Sequence, residues 1–334
     1  SLHDALPICQ EKIIDDFCSK LSITRITAKL LINRGITDFD QANLFFNPSI
    51  KYLNDPFKLA DMSDAVDRIK QALLYNERIT IYGDYDVDGV TSSSALFLFL
   101  KELGANVDIY IPNRYNEGYG LNVDAIETIA SSKTSLIITV DCGINAFNEV
   151  RKSNELGMDI IITDHHNVED DIPDALAVIN PKRAESVYPF KDLAGVGVAS
   201  KLIQAMGGIS AVKKYIDLIA LGTIADIVPL IGENRILVSK GLEKINDNPG
   251  IGIEALIQVC GFKGKRIGEG QVAFGLAPRL NAAGRMSTAK NSFKLLVSDN
   301  MDNALAIAQL LNKENIDRQE MESQLVQADQ SKIY

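Results

Sequence analysis

From residue 78 onward, short apolar runs alternate with amphipathic stretches. "RITIYGD" (78–84), "NVDIYIPNR" (106–114), "SLIITVDCG" (135–143), "MDIIITDHH" (158–166) and "ALAVINPK" (175–182) are rich in β-branched residues, and each ends in turn-forming or polar residues. Between the first four lie "TSSSALFLFLKELG", "NVDAIETIASS" and "NAFNEVRKSNELG", whose apolar residues recur at helical spacing. Near-continuous apolar strands that alternate with helices predict an α/β fold: a parallel sheet of about five strands with helices on both faces. Residues 1–75 carry helical periodicity with Gly35 and Pro48 as breaks, so a helical N-terminal region is expected there. After Pro189 the strand signal stops. "VASKLIQAMG", "AVKKYIDLIALGTIA", "RILVSKGLEKIND" and "GIEALIQVCG" predict a helical second half, followed by a glycine-rich loop carrying "APRLNAAGRMS". From Met301 no Gly or Pro interrupts the chain, which predicts a long helix. The expected division is therefore 1–75, 76–300 and 301–334, the last being the start of a connector helix leading to a further C-terminal domain.

Composition narrows the class. Of 334 residues, 46% are apolar and 23% charged, as in globular chains, and no apolar run approaches the ~20 residues of a membrane helix. The four cysteines form no CxxC pair, which fits buried thiols in a reducing cytoplasm, and the cytoplasm is the expected location. The net charge of −10 argues against a simple electrostatic binder of nucleic acid. It leaves room for an enzyme that binds phosphates locally while metal ions offset a carboxylate cluster.

That cluster can be placed from the strand ends, where open parallel sheets bind their ligands. The first strand ends in "YGDYDVDG" (Asp84, Asp86, Asp88), the third in Asp141, and the fourth in Asp164-His165-His166, two of the chain's three histidines. "LGTIADIVPL" adds Asp226 within an apolar run, where an unpaired carboxylate is costly. The DxDxDG spacing alone also opens calcium loops, but no glutamate occupies the twelfth position here. So many anionic groups at one edge need a cation among them, and mixed Asp/His ligation suits Mn²⁺, with Mg²⁺ or Co²⁺ as substitutes. Two such ions about 3.5–4 Å apart would clamp a phosphoryl oxygen and activate water, so phosphoester hydrolysis is the expected chemistry.

These stretches, "YGDYDVDGVTSS", "VDCGI", "TDHH" and "LGTIADIVPL", resemble in order the metal-binding motifs of the DHH phosphoesterase superfamily. "PNRYNEGYGL", "LAGVGVASKL" and "APRLNAAGRM" are similar to its branch of exonucleases specific for single-stranded DNA, and the likeness covers about residues 45 to 320. The resemblance implies that Asp86 and Asp141, assisted by Asp84, hold one metal, and that Asp88, Asp141, His165 and Asp226 hold a second. It implies that His166 faces the scissile phosphate, with Asp164 supporting the pair from behind. Some superfamily members carry histidine where Tyr82 stands. Arg114, Arg279 and Arg285 are candidate phosphate contacts because guanidinium groups bind phosphate bidentately, and Asn281 is expected to orient Arg279 or touch a sugar. Tyr115 and Tyr119 are candidate stacking residues. The implied activity is 5′→3′ hydrolysis of single-stranded DNA to mononucleotides in recombination and repair, with single-strand-binding protein and a helicase as partners. The alternatives are another DHH enzyme (oligoribonuclease, cyclic-dinucleotide phosphodiesterase or inorganic pyrophosphatase) and a non-catalytic DNA-binding homologue.

Overall fold

The computed structural model describes residues 2–330 apart from 115, 170 and 287, and side chains within 11–324 apart from those three, 285 and 286. Three helices come first: α1 (Leu2–Leu21), α2 (Arg25–Asn33) and α3 (Phe39–Phe46). α2 and α3 begin at side-chain caps, where Thr24 Oγ1 accepts from the Thr27 N–H at 3.2 Å and Asp38 Oδ1 from the Gln41 N–H at 2.8 Å. They enclose a small core of their own around Phe17, Leu31 and Ile36. α4 (Met62–Leu74) instead joins the main core through Met62, Ala65 and Ile69. The helical N-terminal region is present, and its packing divides between α3 and α4.

The α/β part runs β1 (Arg78–Gly83), α5 (Val87–Glu102), β2 (Asn106–Tyr110), α6 (Val123–Ser131), β3 (Leu136–Val140), α7 (Phe147–Glu155), β4 (Asp159–Thr163) and β5 (Ala177–Ile179). All five strands are parallel in the order β2-β1-β3-β4-β5. Alternate residues point to opposite faces: Ile79, Ile81, Ile138 and Ile161 pack under α4, α5 and the helical second half, whereas Tyr82, Ile137, Ile160 and Ile162 pack under α6 and α7. Each fully buried aliphatic side chain of this kind contributes about 1.5–3 kcal/mol. The edge strand β5 is shorter than the run 175–182. Its Val178 N–H donates to Asp61 Oδ2 at 3.0 Å, and Arg183 donates to the same oxygen, so this edge offers little for another strand to pair with.

The register decides where the chemistry falls. Gly83 lies beside Val140, and Val140 beside Thr163. The next residue of each strand, Asp84, Asp141 and Asp164, therefore emerges in one row at the carboxyl edge.

The second half contains α8 (Gly195–Lys214), α9 (Ile216–Ala225), α10 (Gly232–Asp247), α11 (Ile251–Val259), the single turn α12 (Glu269–Gln271), a π-helical turn (Val272–Leu276), α13 (Ala277–Met286), α14 (Lys290–Leu296) and α15 (Met301–Gln330). Two sequence expectations need correcting. The helix expected over 211–225 is split at Tyr215, and α8 starts earlier and bends at Gly208, whose φ is +69°. The stretch "APRLNAAGRM", expected to be a loop, is α13. Pro278 follows directly on the π-helical turn inside an unbroken helical run, and lacks the N–H that would donate back into that turn. Gly284 stays in the helix because the Tyr85 carbonyl would lie 2.8 Å from any Cβ there. α8 has the length and hydropathy of a membrane span, but Val196, Val198, Ala199, Leu202 and Ile203 bury it in the core.

Candidate metal centre

The loop after β1 turns directly into α5. Asp86 caps that helix, its Oδ1 accepting from the Gly89 N–H at 3.0 Å, and Asp88 sits in the first turn. Asp88 is held from the other side by the N-terminus of α8: the Gly195 N–H donates to Oδ2 at 2.6 Å and the Val196 N–H to Oδ1 at 2.8 Å. Position 195 must be glycine, since a Cβ would lie 2.5 Å from Asp141 Oδ1. Asp141 has φ +61°, a left-handed backbone that costs about 1–3 kcal/mol and collects at functional sites. Asp226 closes the C-terminus of α9.

His165 lies among these carboxylates. Its Nε2 is 3.1 Å from Asp141 Oδ1, 3.7 Å from Asp226 Oδ2 and 3.9 Å from Asp88 Oδ2. Ligand atoms of Asp84, Asp86 and Asp141 come within 4.8 Å of one another, as do those of Asp88, His165 and Asp226, and those of Asp141, His165 and His166. The structure thus brings together all the residues expected to ligate, with Asp141 shared between sets.

Electrostatics make this arrangement costly as it stands. Asp84, Asp88, Asp141 and His165 are buried. Burial, followed by the Asp86 charge, pushes Asp84 and Asp88 up to about 7, and burial with the Asp88 charge does the same to Asp226. Asp141 is raised well above the carboxylate range by burial and then by Asp88. Burial lowers His165, leaving a neutral imidazole as a potential ligand. Oδ1 of Asp84, Oδ1 of Asp141 and Oδ2 of Asp226 are buried without a hydrogen-bond partner. Three orphaned carboxylate oxygens beside a neutral imidazole fit a pair of hard divalent cations.

His166 has a different neighbourhood from His165. Asp164 Oδ1 accepts from the His165 N–H (2.7 Å), the His166 N–H (3.1 Å) and His166 Nδ1 (2.7 Å), while Oδ2 accepts from the Ile144 N–H at 2.9 Å. Despite its burial, Asp164 is held below the usual carboxylate range by these bonds, and its hydrogen bond raises His166. With Nδ1 engaged, His166 Nε2 faces outward, 3.2 Å from the Tyr119 hydroxyl. A cleft of about 280 Å³ opens beside them, lined by Tyr119, Cys142, Asn145, Glu149 and His166. The Arg114 guanidinium lies 5.3 Å from the centre of the Tyr85 ring, next to this cleft wall, where Tyr85 and Tyr119 meet edge to face.

The remaining candidates are placed less directly. Arg279 donates to Asn312 Oδ1 at 2.8 Å and to the Gly275 carbonyl at 2.7 Å, tying α13 to α15. Asn281 does not orient it; its Oδ1 accepts from the Val87 N–H at 3.2 Å and so braces the Asp86–Asp88 turn. The Arg285 side chain and Tyr115 lie outside the described residues. Tyr82 is fully buried on the α6/α7 face with its hydroxyl donated to the Gly120 carbonyl at 2.9 Å, away from the cluster. Sequence reasoning missed the two backbone donors at Gly195 and Val196. Their only trace was the glycine pattern of "LAGVGVASKL".

Comparison with known proteins agrees with this geometry. Residues 78–223 match the model of the DHH family, N-terminal domain. The single-stranded-DNA-specific exonuclease RecJ of Bacillus subtilis is 44% identical over 95% of this chain and 40% of its own length. Among solved structures, exonuclease RecJ bound to manganese is 36% identical, with a TM-score of 0.75 over 81% of this chain and 69% of that one. RecJ from Thermus thermophilus in complex with Mn²⁺ is 31% identical, with a TM-score of 0.82 over 95% of this chain and 46% of that one. The chain spans about half, or less, of the length of the curated relatives it matches. Motif order, ligand geometry and overall shape agree, and the chain belongs to the DHH family, within its RecJ branch.

Proposed function

We propose that this chain is a two-metal-dependent 5′→3′ exonuclease that hydrolyses single-stranded DNA to mononucleotides during recombination and repair. The observation that carries the reading is Asp141: it groups with Asp84 and Asp86 on one side and with His165 on the other, sits in a strained backbone and holds an orphaned oxygen. Asp84, Asp86 and Asp141 would hold one divalent ion and Asp88, Asp141, His165 and Asp226 the other, Mn²⁺ fitting best and Mg²⁺ or Co²⁺ serving in its place. When bound, such a pair stabilises charge on the phosphoryl oxygens and lowers the pKa of water.

The chain's own groups do the rest. Asp164 holds Nδ1–H of His166 and favours the protonated ring, so that Nε2–H can donate toward the phosphate, either polarising it or passing its proton to the departing oxygen. Arg114, Arg279 and Arg285 bind backbone phosphates, and Asn281 holds the Asp86–Asp88 turn in place. Residues 76–300 act as the catalytic unit and α15 as a connector. On this reading the enzyme works in the cytoplasm on strands supplied by a helicase and covered by single-strand-binding protein.

The test is parallel digestion with Mn²⁺ of 5′-labelled and 3′-labelled single-stranded DNA, duplex DNA, short RNA and pyrophosphate. Immediate release of labelled mononucleotide from the 5′-labelled strand, with gradual shortening of the 3′-labelled one, is expected. Turnover of pyrophosphate or dinucleotide with no attack on long single-stranded DNA would overturn the reading in favour of another DHH activity.

A further inference from the structure

Ile227 follows Asp226 at the end of α9, and two independent features set it apart. Its φ is +61°, in the left-handed region that β-branched side chains enter only under steric strain. Among the described residues, the other non-glycine positions with positive φ are Ser22, Asp61, Asn76, Lys133 and Asp141, none of them β-branched. Its side chain is also 87% exposed, so packing within the described chain does not offset the strain. The flanking Ile224 and Val228, in contrast, both pack on the main core. The chain thus holds an apolar side chain out into solvent on a strained backbone one residue from a metal-ligand candidate, the kind of strain that collects at functional sites.

We propose that Ile227 is a substrate-positioning residue whose side chain packs against the sugar and base of a nucleotide adjoining the phosphate held at the Asp88–His165–Asp226 set. This deepens the exonuclease reading and rests on it. A nucleotide presents an apolar sugar edge and a base face beside each phosphate, whichever base it carries. An isoleucine therefore gives a contact that does not depend on sequence, as complete digestion of a strand requires. The tight turn keeps the side chain from folding back onto Ile224 and Val228.

The test uses the full chain with Mn²⁺ and 5′-phosphorylated oligothymidylates, each carrying one abasic site at successive positions from the 5′ end. Ile227→Ala is expected to raise KM on the intact oligomer roughly tenfold and to leave kcat within about twofold. At one abasic position the penalty seen with wild type should vanish in the variant, the non-additivity that marks a direct contact. Ile227→Gly, which relieves the backbone, should melt no lower than wild type. An unchanged KM, additive penalties at every position, a fall in kcat alone (misplacement of Asp226), or a lower melting temperature for Ile227→Gly would each overturn the proposal. Failure of the underlying reading looks different: wild type itself would leave every oligomer intact while hydrolysing pyrophosphate.

Discussion

Two buried charge clusters share helix α8, and they are built in opposite ways. At the helix N-terminus lies the carboxylate edge, with orphaned oxygens on Asp84, Asp141 and Asp226. Six residues further along, fully buried Lys201 pairs with Glu233 and also donates to Gln204 Oε1 at 2.9 Å and the Asn54 carbonyl at 3.2 Å. Glu233 also accepts from the Tyr188 hydroxyl and, at 2.9 Å, from the Asn54 N–H. Every charge in the second cluster has an opposite or a donor. It joins α8, α10 and the segment around Asn54 into one piece. The first cluster has like charges, short of donors, at an open edge. The difference separates a group of buried ions that serves the fold from one that waits for a ligand. It also gives opposite expectations when either is altered.

The largest effect is expected at Asp141. Lewis-acid stabilisation is worth several kcal/mol, so Asp141→Asn should lower single-strand hydrolysis by roughly a thousandfold or more. Because the substitution removes one of several mutually repelling charges, the metal-free variant should melt at or above the wild-type temperature. Activity and calorimetry on the same preparation check both halves. A variant that loses activity by unfolding would erase the contrast between the clusters.

Glu233→Ala should do the reverse. Removing one partner of a buried pair strands the other, at a cost of about 3–5 kcal/mol of stability. Denaturant unfolding should show that loss, while activity per folded molecule stays near wild type. Lys201→Met combined with Glu233→Leu should recover part of it, since two apolar groups leave no charge unpaired.

Metal and pH sharpen the comparison further. In the metal-free chain, Asp84, Asp88 and Asp226 titrate near 7, against about 3.8 when unperturbed. Between pH 4 and 7 the folded chain therefore holds protons that the unfolded chain has released, and its stability falls as pH rises through that window. Mn²⁺ binds the deprotonated ligands, so its stabilisation should grow with pH. It should reach about 2.7 kcal/mol at a hundred times the dissociation constant. Melting curves with Mn²⁺ and with chelator at pH 5, 6 and 7 measure the trend; a gain independent of pH would contradict the ligand assignment.

Much of the sheet was legible because its strands are almost wholly apolar and stop at turn residues, so Asp84, Asp141 and Asp164 could be assigned to strand ends. That they stand in one row could not be read, because the pairing of Gly83, Val140 and Thr163 leaves no mark in any local pattern. Nor could the support of Asp88 be read, since Gly195 and Val196 act through backbone N–H groups. The helix α13 was hidden by Pro278, Gly284 and the glycines before it, residues that suggest a loop until the approach of Tyr85 explains one of them. Asn281, expected to orient Arg279 or touch a sugar, braces the loop after β1 rather than Arg279. A single amide leaves no sequence trace of which neighbour it chooses.

The smallest expected effects lie at the border of the reactive cluster, where Asp164 and Tyr119 hold the two nitrogens of His166. Asp164→Asn keeps the shape but loses the charge, and its amide must set an N–H against either the Ile144 N–H or the donors around Oδ1. The imidazole then loses the charge that favours its protonated form, and a loss of about 10–100-fold in kcat is expected, the range seen for groups that orient reactive histidines. Mn²⁺-dependent stabilisation should persist, because His165 Nε2 still faces Asp141 and Asp226. Tyr119→Phe removes one exposed hydrogen bond, of about 0.5–1.5 kcal/mol, so a change of at most about tenfold is expected. The order of these two results decides how His166 is held. If Tyr119→Phe were the more damaging, the ring would be positioned from the cleft side, and the comparison with the satisfied Lys201 cluster would need redrawing to place Tyr119 inside the reactive group.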